Sequence, residues 1–164
     1  MNKLHQENKQ AKSITKEMWE DIEAEMSGSW VAITFNYKGH EVSVNRVHES
    51  ESKTNLQVFI DGYVKGEWVS FSEGKNGISD KAPSILADVW CKKTKARYDN
   101  KFKIAMTKIY GKRGVKKEYP DLEEKHVFYI PNFSKASVLC RQFKKLEGLE
   151  LTNAMFLNLK EEQL

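Results

Sequence analysis

The chain has 164 residues, with 27 Lys or Arg against 23 Asp or Glu and a hydrophobic fraction of 40%. That length allows one domain with a core that needs neither disulfides nor a structural metal, and four Trp, eight Phe and six Tyr supply large apolar surfaces to fill it. No run approaches the ~20 apolar residues of a membrane span, and the polar start MNKLHQENKQAK has no signal-peptide core, so the reading is a cytoplasmic protein with no membrane partner.

Residues 1–12 read as a flexible tail and 13–164 as a single α+β domain. Ile14, Met18, Ile22 and Met26 recur every four residues, with Trp19 and Glu23 beside them, which predicts an amphipathic helix over 13–27 stopped by Gly28. Its other faces carry Glu17, Glu20, Asp21 and Glu25. Residues 30–37 (WVAITFNY) are rich in aromatic and β-branched types and predict a strand, turned by Lys38-Gly39. Residues 40–48 alternate, with Val42 and Val44 on one face. A polar connection over 49–53 leads to Leu56, Val58 and Ile60, which alternate again. Asp61-Gly62 is a strong hairpin signal, because both positions of that turn need positive φ. Residues 63–71 then return as a fourth strand, with Gly66 marking a bulge or bend. The expected fold is therefore an antiparallel meander of about four strands packed against helices.

Residues 72–83 read as the loop between two halves. Ser84 can cap a long helix over 84–110: Ile85, Leu86, Val89 and Trp90 begin its apolar stripe, and Phe102, Ala105, Met106 and Ile109 continue it. Asp99-Asn100 is a potential interruption, so the stretch is read as one helix or two, and Gly111 ends it. Pro120 blocks any further helix there. Residues 126–130 form a short apolar strand closed by Pro131. Ser134 caps a helix with Val138, Leu139, Phe143 and Leu146 inward, stopped by Gly148, and Asn153 caps a last helix through Leu159. Trp19, Trp30, Trp68 and Trp90 are expected to be mostly core. Cys91 and Cys140 fall on helices without close partners and read as reduced, mostly buried thiols.

Charge is where function enters. Residues 92–117 hold eleven basic side chains and one acid, Asp99, a net +10, while the remainder of the chain sums to −6. Such a block repels itself unless a polyanion or an acidic surface answers it. The candidate binding residues are Lys92, Lys93, Lys95, Arg97, Lys101, Lys103 and Lys108 along the helix, then Lys112, Arg113, Lys116 and Lys117 on the loop after it. Tyr98, Tyr110 and Tyr119 are interleaved and could stack on bases. Gly111-Lys112-Arg113-Gly114 looks like the GxxG loop of KH domains, which clamps a nucleotide backbone. Pro120 leaves little room for the helix that follows in that fold, so only the phosphate-contact role is kept.

The chemistry of catalysis is harder to find. Residues 120–125 (PDLEEK) contain the letters of a metal-dependent nuclease site, but the acids sit too close together on one loop and read as a charged turn. His40 and His48 are too far apart on one strand to chelate one metal. His5 lies in the tail and His126 begins a strand. No nucleophile triad, Walker loop, dinucleotide fingerprint or metal-ligand spacing is present, so no catalytic residue, metal or cofactor is assigned.

The segments 56–68 (LQVFIDGYVKGEW) and 129–151 (YIPNFSKASVLCRQFKKLEGLEL) resemble small uncharacterised proteins encoded by phages and prophages, over about a fifth of the chain. The Asp61-Gly62 turn, the Gly66-Glu67-Trp68 end and the Pro131-x-x-Ser134 helix entry carry the likeness. It implies a phage-type accessory protein that binds host machinery, of a kind that includes blockers of restriction or CRISPR defences. Three expectations follow. The first is a non-enzymatic nucleic-acid binder. The second is a stoichiometric inhibitor of a host defence protein or nucleoprotein complex. The third is an enzyme without a recognisable motif.

Overall fold

The computed structural model describes residues 12–70 and 76–163. Its first elements are a two-residue strand, β1 (Lys12–Ser13), and the amphipathic α1 (Lys16–Ser27). Thr15 caps α1 by accepting the Met18 N–H at 3.2 Å, which satisfies one of the helix's orphan donors. The other expectations for the tail, His5 among them, lie outside the described residues.

β2 (Ala32–Tyr37), β3 (His40–His48) and β4 (Thr54–Ile60) pair antiparallel in sequence order. The turn between β2 and β3 uses positive φ at both Lys38 (48°) and Gly39 (80°), the left-handed geometry that matches strand twist. Register places Ile33 opposite Val44, Phe35 opposite Val42, Val44 opposite Val58 and Val42 opposite Ile60. These six side chains share one face and are fully buried. α1 covers that face, with Trp19 stacked on Phe35 at 6.2 Å. Arg46 of β3 donates to the carbonyls of Gly28 and Met26, so a cation satisfies orphan acceptors at the end of α1.

The fourth strand of the meander does not form as expected. Asp61 and Gly62 do make the turn, with φ of 51° and 81°. Beyond it Ile60 and Tyr63 form an isolated bridge, the chain winds into a 3-10 turn at Gly66–Trp68, and Val69 then bridges to Ile78 rather than to β4. Gly66 disfavours continued extension, and the position beside β4 is taken by a distant pair of residues. Phe133, buried at 2% exposure, sits opposite Leu56. The predicted end of that strand, Phe71, lies outside the described residues.

The long helix over 84–110 is also corrected. Of its first half only α2 (Leu86–Val89) is helical, and β5 (Cys91–Ala96) follows it. The helix resumes as α3 (Asn100–Glu118), capped by Asp99, whose Oδ1 accepts the Phe102 N–H at 2.7 Å. β6 (Lys125–Ile130) pairs with β5. β7 (Asn132–Phe133) leads to α4 (Ala136–Phe143), and β8 (Glu150–Asn153) to α5 (Met155–Glu162). The main sheet runs β1-β8-β2-β3-β4-β7. β8, between β1 and β2, had no reading in the sequence. Lys135, not Ser134, holds the cap position of α4, and Ala154, not Asn153, that of α5. Val138 points outward rather than in.

Three tryptophans are buried, but Trp30 is 81% exposed. Neither cysteine is in a disulfide. Cys91 is on a strand rather than a helix, while Cys140 is buried on α4, where desolvation first and Glu23 next push its thiol up to about 12. No helix among the described residues is long and apolar enough to cross a membrane.

The class is α+β, and the chain groups into two units. The first comprises Met1–Lys65, Pro83–Cys91 and Pro131–Leu164, and holds the six-stranded sheet with α1, α2, α4 and α5. The second comprises Gly66–Ala82 and Lys92–Ile130, and holds the β5–β6 pair and α3. The chain re-enters the first unit at Pro83 and again at Pro131, residues that cannot donate to a continuing ladder. Within the second unit, Gly77 (φ 80°) lies so close to β6 that a Cβ there would stand 2.5 Å from the Val127 carbonyl oxygen. Only glycine fits that approach.

Candidate nucleic-acid interface

Every residue of the basic block belongs to the second unit. That unit carries 14 basic and 8 acidic residues, a net +6; the first carries 13 and 15, a net −2. The chain's positive charge is therefore held by its smaller part.

Lys92, Lys93 and Lys95 lie on β5, not on a helix, and all three are exposed. Strand alternation puts Lys93 and Lys95 on one side and Lys92 on the other. Lys101, Lys103 and Lys108 occupy the first part of α3. Lys112, Arg113, Lys116 and Lys117 occupy its second part rather than a loop. Gly111, with φ 71° and ψ 169°, kinks α3 between the two parts. The GxxG string is thus a helix kink and not the connecting loop of a KH domain. Pro120 does end the helix.

The acidic turn after α3 answers part of this charge. Arg97 Nη1 lies 3.0 Å from Asp121 Oδ2 and 3.1 Å from Glu124 Oε2. The Glu124 hydrogen bond first, then the Asp121 charge, raise the guanidinium's affinity for its proton. Lys103 Nζ is 2.9 Å from Glu123 Oε2 and is itself mostly buried. These two basic residues brace the unit. Lys93, Lys95, Lys101, Lys108, Lys112, Arg113, Lys116 and Lys117 are exposed and make no ion pair among the described residues. Lys101 also stands at the positive end of the α3 dipole, where a cation costs rather than gains.

The interleaved tyrosines come together, but chiefly with each other. Tyr98 stacks on Phe102 with centroids 4.7 Å apart and planes 13° apart. Tyr119 meets both edge-on, at 5.9 and 5.4 Å, and Tyr110 meets Tyr119 at 6.2 Å. Arg97 lies over the Tyr98 ring at 5.8 Å. Both faces of Tyr98 are thereby occupied. The outward face of α3 is not purely basic: Ile104 and Ile109 are 58% and 66% exposed, although Ile109 was expected on the inward stripe.

An open groove of about 490 Å³ runs where β5 meets the first turn of α3, lined by Lys95, Ala96, Arg97, Tyr98, Asp99 and Phe102. Asp99 and Phe102 were not read as site residues. The signal was available, since an Asp three positions before the N–H it caps marks a helix start. Among the described residues, no three of His, Cys, Asp and Glu form a metal-sized cluster. Comparison with protein-family models, curated proteins and solved structures finds no match to this chain.

Proposed function

We propose that the chain is a non-enzymatic, phage-type accessory protein of the cytoplasm that binds nucleic acid through the basic face of its second unit. The observation that carries this reading is the division of the basic block. The acidic turn engages Arg97 and Lys103, while eight further cations stand exposed with no ion pair among the described residues. Unanswered charge of one sign in so small a unit is the electrostatic footprint of a polyanion site. The test is fluorescence anisotropy of the purified full chain with labelled DNA and RNA, single-stranded and duplex, at low salt and with no other protein present. Binding that weakens steeply with salt supports the reading.

A second reading draws on Ile104 and Ile109. Exposed isoleucines beside Lys101 and Lys108 suit an acidic protein surface with an apolar centre. Absence of nucleic-acid binding at low salt would turn the assignment to that reading: a stoichiometric inhibitor of a host defence protein.

A further inference from the structure

α3 bends at two glycines, and its side chains fall out of phase across the bend. Gly111 sits at φ 71° and ψ 169°, a region open essentially to glycine alone. A Cβ at Gly114 would stand 3.2 Å from the Tyr110 Cβ, where a regular helix keeps side chains four apart at ~5–6 Å. Both positions therefore fit the bent form. The half-buried side of the first part carries Phe102, Lys103, Met106 and Thr107, and the second part buries Val115 at 3% exposure. At ~100° per residue, an unbroken helix would swing Val115 about 150° from the centre of that side, out among the cations.

The same unbroken helix would set Lys101, Lys108, Lys112 and Lys116 within about 80° of arc, a row about 22 Å long. The bend exchanges that row for the burial of Val115. Charge decides between the two arrangements. An unbroken helix places Lys108 one turn from Lys112, a like-charge contact that destabilises a helix, and the kink at Gly111 removes that register. A polyanion laid along the row turns the same repulsion into an attraction, so it binds the straight form more tightly than the bent one. We infer that α3 is a two-state element of the binding site: bent in the free protein with Val115 buried, and straightened by a bound nucleic-acid strand that draws the four lysines into one row along its phosphates. The inference rests on the nucleic-acid reading above and adds a conformational switch to it.

The test measures the length of α3. Nitroxide labels are placed at Asn100→Cys and Glu118→Cys, both exposed and neither a cation of the site, in a Cys91→Ser background. Cys140 stays unlabelled, because it is buried and its thiol is pushed up to about 12. A straight helix separates the two labelled positions by about 27 Å along its axis, and a bent one by less. Dipolar spectroscopy should show the shorter separation in the free chain and a shift towards about 27 Å with a saturating single-stranded oligonucleotide. Gly111→Ala with Gly114→Ala disfavours the bend at both fitted positions and favours continuous helix. It should lengthen the separation without ligand and raise the helical circular-dichroism signal. It should also tighten binding about tenfold, the gain expected where the straight form makes up about a tenth of the free parent. Val115→Ser removes the apolar anchor of the bend without touching the glycines, and should move separation and affinity in the same direction.

A bound strand that leaves the separation unchanged would overturn the inference. So would binding by the glycine variant no tighter than the parent's or, if that variant does not fold, by Val115→Ser. In those cases the nucleic-acid reading stands, since binding itself has been measured. If no nucleic acid binds at low salt, both fall together.

Discussion

Neutralising the second part of α3 gives the sharpest test of the basic face. The perturbation is Lys112→Gln, Arg113→Gln, Lys116→Gln and Lys117→Gln together. None of the four makes an ion pair among the described residues, and the buried residue of that stretch, Val115, is untouched. If the eight exposed, unanswered cations each meet one phosphate, the log–log salt slope should be about −5.6 on a single strand or about −7 on duplex DNA. Removing four halves either value. On a single strand, a fourfold rise in salt should weaken the parent protein about two-thousandfold and the variant about fiftyfold. The loss should be similar for unrelated sequences, because phosphate contacts carry no sequence information. The assay is anisotropy titration at four or five salt concentrations, with circular dichroism as the fold control. A matched control is Arg97→Gln with Lys103→Gln. It removes the same kind of charge, but from residues tied to Asp121, Glu123 and Glu124, so it should lower the melting temperature and leave the slope nearly unchanged. A folded quadruple variant with the parent slope would refute the phosphate role of this helix. So would a control pair that flattens the slope as strongly per charge removed.

Three further outcomes test the fold. Gly77→Ala and Gly62→Ala both place a side chain at positive φ, a strain of about 1–2 kcal/mol, but the new Cβ meets open space at residue 62 and the Val127 carbonyl at 2.5 Å at residue 77. Urea unfolding should therefore show the larger loss for Gly77→Ala, and hydrogen exchange should rise in β6; equal losses would contradict the close approach. Trp90→Ala should cost about 3–5 kcal/mol, because that ring is 2% exposed, while Trp30→Ala, at 81% exposure, should change the unfolding midpoint little. Asp61 accepts from the Glu41 N–H at 3.0 Å and lies 2.7 Å from His40 Nδ1. The His40 contact first, opposed by slight burial and assisted by the Glu41 hydrogen bond, lowers its pKa. A depressed carboxyl pKa contributes stability that is complete above the ordinary aspartate value and is lost as pH falls through the lower folded value. Urea unfolding between pH 6 and pH 2.5 should thus show a shallower acid-side decline for Asp61→Asn than for the parent, and identical declines would exclude this contact as a source.

Where a feature depends on neighbours within a few residues, the sequence by itself determined it. The hairpin from β2 to β4 follows from strict alternation, and the turns at Lys38-Gly39 and Asp61-Gly62 follow from residues that tolerate positive φ. α1 follows from its four-residue stripe. The concentration of positive charge over residues 92–117 is a property of composition alone. Tertiary structure decided which distant segment completes each surface. β5 reads CKKTKA, and its five residues after Cys91 are exposed. No apolar period marks it as a strand, and it is one because β6, some thirty residues later, satisfies its backbone. β7 displaced the expected fourth strand because burying Phe133 against Leu56 is a gain that no local pattern records. The same separation governs the site. Eleven cations look alike in the chain, and Arg97 and Lys103 are set apart only when folding carries Asp121, Glu123 and Glu124 to them from twenty or more positions away. Periodicity encodes a residue's own face, while pairing and charge neutralisation depend on atoms that only the folded chain brings within reach.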